Sequence, residues 1–452
     1  MVLPQKNCPR GVSIKNQCRL RGKFIILIAA TCCVSLGWVP IAQATVLTLR
    51  NAIQRAEANQ SIVQQAKHIV SERMDLRRAA HANLLPGISL VAGSIWSATR
   101  NGSPLFIASN APREIIGQVQ INIPLYSPQV NALQALARNQ IDLARYQEDE
   151  SRLLVAARVT TAYYRLALLQ NDCKVWRSAL VSIQSLYKAT KKGYQIGSYS
   201  RLDLAQTQLM LTHIRGGLRQ VRVRITTARR ILALQIGDSV DELPNLAVLA
   251  VPDVTLPKEQ AFDRQASQAQ PLLLAAKAEV QVARSQLQFH RAARLPVVQG
   301  VGAYGIDTGT LPQTNDLGWQ VGLTLHMPIF GFGRNRDRIA AAQEHLTAIE
   351  AGKQALLLHI QNRIATDYGA TQAALNALHN DQVVEQQAHL VYQMTRKGYL
   401  AGALSALDLQ QAEKGWVQAR LKLAGAAIGV RLAKARLALD TGVLPQTSEG
   451  QS

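Results

Sequence analysis

Two strand-to-helix junctions constrain the fold of this chain more than any other feature. In each one, a segment with strictly alternating apolar residues is followed by proline, aromatic residues and a very long helical run. The first junction spans residues 117–131 and the second spans residues 318–338. Alternation with a period of two predicts a strand with one apolar face along its whole length. Pro124 and Pro328 are expected to end the two ladders, because proline has no N–H to donate to a neighbouring strand.

The helical runs that follow are too long for a compact domain. They extend from residue 128 to about 195 and from residue 334 to about 400, and at 1.5 Å per residue each would be roughly 100 Å long. A helix of that length needs a partner beside it, and the segments 200–236 and 405–439 return in the opposite direction. The sequence therefore predicts two tall helical hairpins with coiled-coil packing.

The two halves of the chain repeat each other. Lys192-Gly193-Tyr194 matches Lys397-Gly398-Tyr399 at an offset of 205 residues. Each copy contains a helix, a strand, a turn-rich loop, a second strand and a helical hairpin, so the chain is one unit present twice. The predicted organisation is a signal peptide at 1–44, a first repeat at 45–237, a connector at 238–257, a second repeat at 258–441 and a tail at 442–452.

The first 44 residues have the pattern of an export signal. Basic residues precede a short apolar run, and Ala42-Gln43-Ala44 is typical of a cleavage site. Removal of this segment takes away six basic residues and no acidic ones, which lowers the formal net charge from +21 to +15. The remaining basic charge is spread through helical runs with few aromatic residues, which is most typical of solvated helix faces. If the charge serves a partner, the pattern favours anionic lipid or lipopolysaccharide over nucleic acid.

Four predicted strands are too few to close a barrel by themselves. An open sheet would leave its apolar face and both of its edges exposed. Strands of about eleven residues are typical of outer-membrane barrels, in which lipid requires every backbone polar group to be paired. Closure therefore calls for a ring of several chains that contribute to one barrel.

The mature chain resembles the TolC-type outer-membrane efflux factors along essentially its whole length. The resemblance rests on residues 327–334, which read MPIFGFGR, on Leu84-Leu85-Pro86, and on the paired Tyr-x-x-Gly-x-x-Ser-x-x-Asp-Leu segments. It implies an α+β membrane protein with an internal two-fold repeat: a trimeric twelve-stranded β-barrel, four strands per chain, continued by a long periplasmic α-helical coiled-coil barrel that is closed at its inner end. The strand–helix junction residues that it marks are Pro124, Pro328 and Gly333.

The resemblance also implies a function and a location. The expected protein is a passive exit duct for small molecules in a tripartite efflux system of the cell outer membrane, with a periplasmic extension. Its implied partners are a homotrimer of this chain, outer membrane lipid, a periplasmic adaptor (membrane fusion) protein and an inner-membrane pump, with no nucleic acid. Two alternatives stay open. One is a type I protein-secretion duct with the same fold, and the other is a non-channel periplasmic coiled-coil protein, against which the alternating strands argue.

The turns between the paired helices carry the candidate site. Each turn has a glycine where the chain must reverse, and glycine adopts the required backbone conformation at little cost. The resemblance implies that six residues at these hairpin tips contact the adaptor: Ile196, Gly197, Ser198, Ala401, Gly402 and Ala403.

A periplasmic gate is implied at the same tips. Tyr399 with Asp203 resembles the hydrogen-bonded pairs that hold the family's inner gate shut. Asp408 resembles a pore carboxylate, and Gln411 stands where a second one can follow it. Leu404 stands where the family often has an arginine, so the implied gate is only partly matched.

The two aspartates of this gate have a second interpretation. Asp203 and Asp408 each lie three residues after a serine, which is the spacing of a helix capping box. Each aspartate could serve as a cap alone, or it could cap its helix and also line the tunnel mouth. Three copies of Asp408 around an axis would make a ring of carboxylates.

No motif in the sequence predicts an enzyme. Residues 300–305 spell a GxGxxG fingerprint, but they lie inside a predicted strand, and the turn residues that follow cannot begin the helix that holds a pyrophosphate. The nine histidines include no pair at the helical spacing of an H-E-x-x-H metal site. Neither a cofactor nor a metal ion is expected.

Overall fold

The computed structural model describes most of the chain after the predicted signal peptide. The described ranges are 46–100, 103–104, 113–240, 243–247, 255–309, 312–313 and 316–445. The signal peptide predicted at 1–44 lies outside them, as do parts of the predicted connector and the end of the predicted tail. The domain boundaries stay predictions.

The first half of the chain has its helices and strands in the expected order: helices first, then strands, then the helical hairpin. Its elements are α1 (Leu49–Asn59), α2 (Ser61–Ala82), β1 (Gly87–Trp96), β2 (Thr99–Arg100), β3 (Ser103–Pro104), β4 (Arg113–Tyr126), α3 (Pro128–Gln195) and α4 (Arg201–Ile236). β2 and β3 pair only with each other, in the loop between the two long strands. The long helix α3 has 68 residues, which is roughly 100 Å at 1.5 Å per residue.

The second half repeats this order. Its elements are α5 (Glu259–Ala269), α6 (Pro271–Ala292), β5 (Val297–Thr308), β6 (Leu317–His326), α7 (Arg334–Leu400) and α8 (Ala406–Asp440). The long helix α7 has 67 residues. α3 runs beside α4, and α7 runs beside α8, as the two helical hairpins require. None of the helices in the described ranges carries a stretch both apolar enough and long enough to cross a bilayer.

A glutamine interrupts the helix that precedes each strand pair, where the sequence pattern predicts one continuous helix. Gln60 and Gln270 have extended backbones between α1 and α2 and between α5 and α6. The Gln60 amide donates to the Gln235 carbonyl at 2.5 Å, and the Gln270 amide donates to the Asp440 carbonyl at 2.8 Å. The last carbonyls of a helix lack intrahelical donors. Each glutamine therefore ties the start of its repeat to the end of the last helix of that repeat.

Four of the described strands form one antiparallel sheet in the order β1-β4-β5-β6. The register places the apolar residues of both repeats on the same face. Val119 of β4 lies opposite Leu90 on one side and Tyr304 on the other, and Tyr304 lies opposite Trp319. Leu90 and Trp319 have 76% and 78% of their surface exposed. One face of the sheet is thus apolar and uncovered in the single chain.

The opposite face is polar, and two sheet edges remain open. Gln120 lies opposite Ser89 on one side and Ala303 on the other, and Ala303 lies opposite Gln320. Among the described strands, β1 and β6 each have only one neighbour. A sheet with this division of faces and two free edges is suited to a barrel wall with lipid outside and water inside.

The junctions differ in detail from the sequence expectation. β6 ends at His326, two residues before Pro328. β4 does not end at Pro124: it continues to Tyr126, with a register shift against β5 between these two residues. A bulge removes the need for a ladder hydrogen bond at proline, so the strand can continue beyond Pro124. Gly333 is the N-cap of α7 and has a left-handed backbone, with φ 83°.

Two main clusters of buried residues lie between the helices. The larger is formed by α1, α3, α4 and the last turns of α8, around the fully buried Tyr163 and Leu232. The second lies between α3, α4, α7 and α8 nearer the hairpin tips, and it includes Ile183 and Leu409. This second cluster sets the positions of the tip residues relative to one another.

Candidate functional site

Both helical hairpins turn at a glycine with a left-handed backbone. At the first tip, Gly197 has φ 80°, and the N–H of Ser198 donates to the Gly193 carbonyl at 2.8 Å. This bond, from the second residue past the C-cap to the last turn of the helix, defines a Schellman motif. The second tip repeats the arrangement around Gly402, whose φ is 75°. A side chain at either glycine would face open space, so the backbone conformation is what requires glycine there.

The residues predicted to contact an adaptor are all accessible at these turns. The exposed tip residues are Ile196, Gly197, Ser198, Ala401, Gly402 and Ala403. Ile196 has 80% of its surface exposed, which is unusual for a large apolar side chain that has no partner. The Leu404 side chain, by contrast, packs against its own hairpin. It lies so close to Gly398 that a Cβ there would be only 2.6 Å from it.

The capping boxes predicted from the serine–aspartate spacing form at both tips. The Asp408 carboxylate accepts from the N–H of Ser405 at 3.0 Å and from its hydroxyl at 2.7 Å, while the N–H of Asp408 donates to the Ser405 hydroxyl at 3.2 Å. Ser200 and Asp203 make the same three bonds. The bonds from the Ser405 side chain and backbone hold the pKa of Asp408 below its ordinary value. Asp408 is therefore a charged, exposed group near the tip.

The other two predicted gate residues lie on the helices of the second hairpin. Gln411 is exposed on α8, three residues after Asp408. Tyr399 is buried, and its hydroxyl lies 3.1 Å from that of Thr190 rather than on Asp203. Burial raises the pKa of Tyr399, and the negative charge of Asp203 raises it further. Asp203 and Tyr399 thus interact through charge within one chain, without a hydrogen bond between them.

Two more hydrogen bonds of this kind join the hairpins, and they were not predicted from the sequence. The hydroxyls of Tyr392 and Ser182 lie 2.8 Å apart, and the Arg420 guanidinium donates to the Ser178 hydroxyl at 2.6 Å. We call the three contacts Tyr399–Thr190, Tyr392–Ser182 and Arg420–Ser178 the hydroxyl bridges. They connect α7 and α8 to α3, so they hold the second hairpin against the first.

The bridge at Tyr392 is fixed by an aromatic stack. The Trp416 ring stacks on the rings of both Tyr392 and His389, with centroid distances of 4.8 Å and 4.7 Å. The Trp416 N–H donates to Glu385 at 3.0 Å, and the Arg420 guanidinium lies 5.0 Å from the Trp416 ring centroid. Stacked rings with a cation on one face hold these side chains in one arrangement.

Nothing in this arrangement resembles a reaction centre. Within the described ranges, no three His, Cys, Asp or Glu side chains lie close enough together to hold a metal ion. The tips offer exposed turns, a fixed carboxylate and a set of bridges between two hairpins.

The fold and the tips together define a class of protein: a chain that contributes strands to a shared membrane barrel and extends from it as two tall helical hairpins. Comparison with known proteins agrees with this. The sequence model of the outer membrane efflux protein family matches residues 52–238 and 264–443, which is most of the chain. The chain belongs to the outer membrane efflux protein family. This confirms the family resemblance and the predicted location in the outer membrane, with a periplasmic extension.

Individual relatives are similar at moderate identity. The chain is 27% identical over 315 residues to the pyoverdine export outer membrane protein OpmQ of Pseudomonas putida, a match that covers 66% of this chain and 65% of the relative. It is 24% identical over 312 residues to the alkaline protease secretion protein AprF of Pseudomonas aeruginosa, covering 67% of this chain and 64% of the relative. The matched regions therefore span just under two thirds of each relative's own length.

A solved structure shows the same fold. The outer membrane channel CmeC of Campylobacter jejuni superposes with a TM-score of 0.74 at 16% identity, over 89% of this chain and 87% of that chain. Together with the four-stranded sheet and the two long hairpins, this confirms the predicted fold class. The matched family and this structural relative are transport proteins rather than enzymes.

Proposed function

We propose that three copies of this chain form a passive exit duct through the outer membrane and across part of the periplasm. The observation that carries this proposal is the sheet: its apolar face is exposed, and its edges β1 and β6 are unpaired in one chain. Pairing β6 of one copy with β1 of the next would close a ring and give every edge a partner. Three copies of four strands make a twelve-stranded barrel, and the hairpins would continue it as a helical tunnel.

A passive duct needs partners that supply the energy for transport. A periplasmic adaptor would contact the exposed tips, and an inner-membrane pump would drive transport. The similarity to a pyoverdine export protein supports small molecules as cargo. The similarity to a protease secretion protein supports a second candidate, a type I protein-secretion duct.

The proposal is tested on the full-length protein extracted in detergent. Light scattering should give the mass of a trimer, and the trimer should conduct ions in a planar bilayer. Crosslinking in cells followed by purification should recover an adaptor, and the inner-membrane component recovered with it separates efflux from protein secretion. A stable monomer that retains its strands, or a trimer that never conducts, would refute the duct.

Asp408 provides a test of the tunnel mouth. We propose that it lines the mouth as well as capping α8. Replacement of Asp408 by Asn should lower the preference for cations, because asparagine can still bond to the serine but has no charge. The lost charge–dipole interaction should weaken the cap of α8 only slightly, because the carboxylate is exposed to solvent. Reversal potentials in a salt gradient measure the selectivity. Unchanged selectivity would mean that Asp408 caps α8 and does not line the mouth.

The tip glycines provide a test of adaptor contact. Changing both Gly197 and Gly402 to Val should cost roughly 1–2 kcal/mol at each turn, because a β-branched residue resists φ near +80°. Because the tips of this double variant are distorted, crosslinking should recover much less adaptor with it than with the wild type. The trimer and its membrane insertion should persist. Gly352→Val is the matched control, since Gly352 lies in α7 and a side chain there also meets open space. Normal adaptor recovery by the double variant would contradict the tip role.

A further inference from the structure

A cavity between α4 and α8 plays no part in the function proposed above. Its volume is about 620 Å³, which is within the range of sites that hold drug-sized molecules. α3 completes the wall with one aromatic side chain. The apolar side chains of the lining are Trp176, Met210, Ile214, Val417 and Leu421.

Two adjacent glycines of α4 create the space. The Trp176 ring lies against Gly217 so closely that a Cβ there would be 2.7 Å from ring atoms. At Gly216 a Cβ would meet nothing within 4 Å. The edge of the His213 ring lies against Trp176, with centroids 6.2 Å apart. The cavity therefore has an aromatic wall and a hollow where α4 has no side chains.

A buried carboxyl group lines the same cavity. Glu413 is 3% exposed, and its Oε1 has no hydrogen-bond partner among the described residues. Burial raises the pKa of Glu413 to about 7, against the opposing effect of the Arg396 charge. A buried acceptor without a partner costs free energy that a donor inside the cavity would recover.

The neighbouring charges determine which donor fits. Arg396 and Tyr392 of α7 interact with Glu413 electrostatically, although neither is part of the cavity lining. His213 of α4 and Lys414 of α8 are lining residues, and both are exposed to solvent. The buried ionisable group of the lining is thus an acid, next to an indole ring whose face attracts cations.

We propose that this cavity binds a protonated amine carried on an aromatic or branched apolar body. The ammonium group pairs with the Glu413 carboxylate, and the apolar body lies against Trp176 and in the hollow at Gly216. Such a ligand fills the apolar space and gives the buried carboxylate its missing partner. The site is independent of the proposed duct role, since it lies within one chain and requires neither an adaptor nor a pump.

Binding should depend on pH with a definite sign. The ammonium requires the ionised carboxylate, and the raised pKa of Glu413, about 7, means that protons compete for it near neutrality. Affinity should therefore rise between pH 6 and pH 8 in the wild-type protein. A variant without the carboxylate should show no such rise.

The test uses the full-length trimer in detergent with two matched probes, 1-naphthylmethylamine and 1-naphthylmethanol, in calorimetric titrations. At pH 8 the amine should bind more tightly than the alcohol by at least about tenfold, because the hydroxyl of the alcohol can still donate but carries no positive charge to pair with the carboxylate. Glu413→Gln should weaken binding of the amine by a similar factor and leave binding of the alcohol unchanged. Glu279→Gln, at an exposed position of α6, is the control and should change neither.

A second variant keeps the test decisive if Glu413→Gln fails to assemble. Gly216→Leu should place a side chain in the hollow, where a Cβ meets no atom within 4 Å, and abolish binding of both probes, while Glu413 stays in place. The proposal is overturned if the wild-type protein binds neither probe at millimolar concentration, or if it binds both equally. It is also overturned if Gly216→Leu binds the amine as the wild type does.

Discussion

Leu323→Arg should prevent the protein from accumulating as a trimer in the outer membrane. Leu323 lies in the middle of β6, and 74% of its surface is exposed on the apolar face of the sheet. An arginine on the lipid face near the bilayer midplane costs roughly 2–4 kcal/mol. The proposed barrel would contain three such residues, so a loss of at least about tenfold in assembled protein is expected. Unheated gel electrophoresis of outer-membrane fractions measures it.

The next residue of the same strand provides the control. Thr324 points to the opposite, polar face, where Gln299 lies across from it on β5. Thr324→Arg introduces the same side chain into the aqueous interior of the proposed barrel and should leave assembly nearly unchanged. Equal loss in the two variants would mean that the two faces of the sheet do not meet different solvents, and it would contradict the barrel.

Replacing Tyr392 and Tyr399 together by Phe should raise the basal conductance of the trimer strongly. Each substitution keeps the ring and removes one hydroxyl bridge to α3. A hydrogen bond of this type contributes about 1 kcal/mol, so two per chain in three chains amount to about 6 kcal/mol. If the tips open together, that energy shifts the balance between closed and open forms by up to roughly 10⁴-fold. Planar-bilayer recordings measure the change.

Tyr194→Phe is the matched control for this double variant, because Tyr194 lies in the last turn of α3 with 41% of its surface exposed. It should leave the basal conductance as it is in the wild type. A double variant that assembles normally and conducts no more than the control would mean that the hydroxyl bridges stabilise the fold without closing the mouth. The gate would then have to be sought between chains.

The sheet was largely predictable from the sequence because its signals are local. Alternation at period two, the paired prolines and the offset between the repeats located all four long strands to within a few residues. The two helix breaks were not predicted. Helical periodicity continues through Gln60, and the structure breaks there because the glutamine side chain reaches the end of α4, far away in the sequence. Pro271, directly after the second break, was the available signal.

The candidate site also has parts that the sequence predicts and parts that it does not. The capping boxes and the tip glycines follow from spacings of a few residues, and both form as predicted. The hydroxyl bridges depend on the register of α3 against α7, which short motifs cannot specify. Their trace in the sequence is polar residues at near-heptad spacing, with Tyr392 and Tyr399 on one helix and Ser182 and Thr190 on the other. The Glu413 cavity depends on contacts among three helices and left no such trace.

The pairing of β4 with β5 has a further consequence for symmetry. β4 is the second strand of the first repeat, and β5 is the first strand of the second. In the proposed trimer, β6 of one chain meets β1 of the next, which is again a second strand beside a first. The seams within chains and between chains are then equivalent, and the barrel has an approximate sixfold axis. A chain with a single repeat would close the same ring from six copies, so each chain of the proposed trimer takes the place of two such subunits.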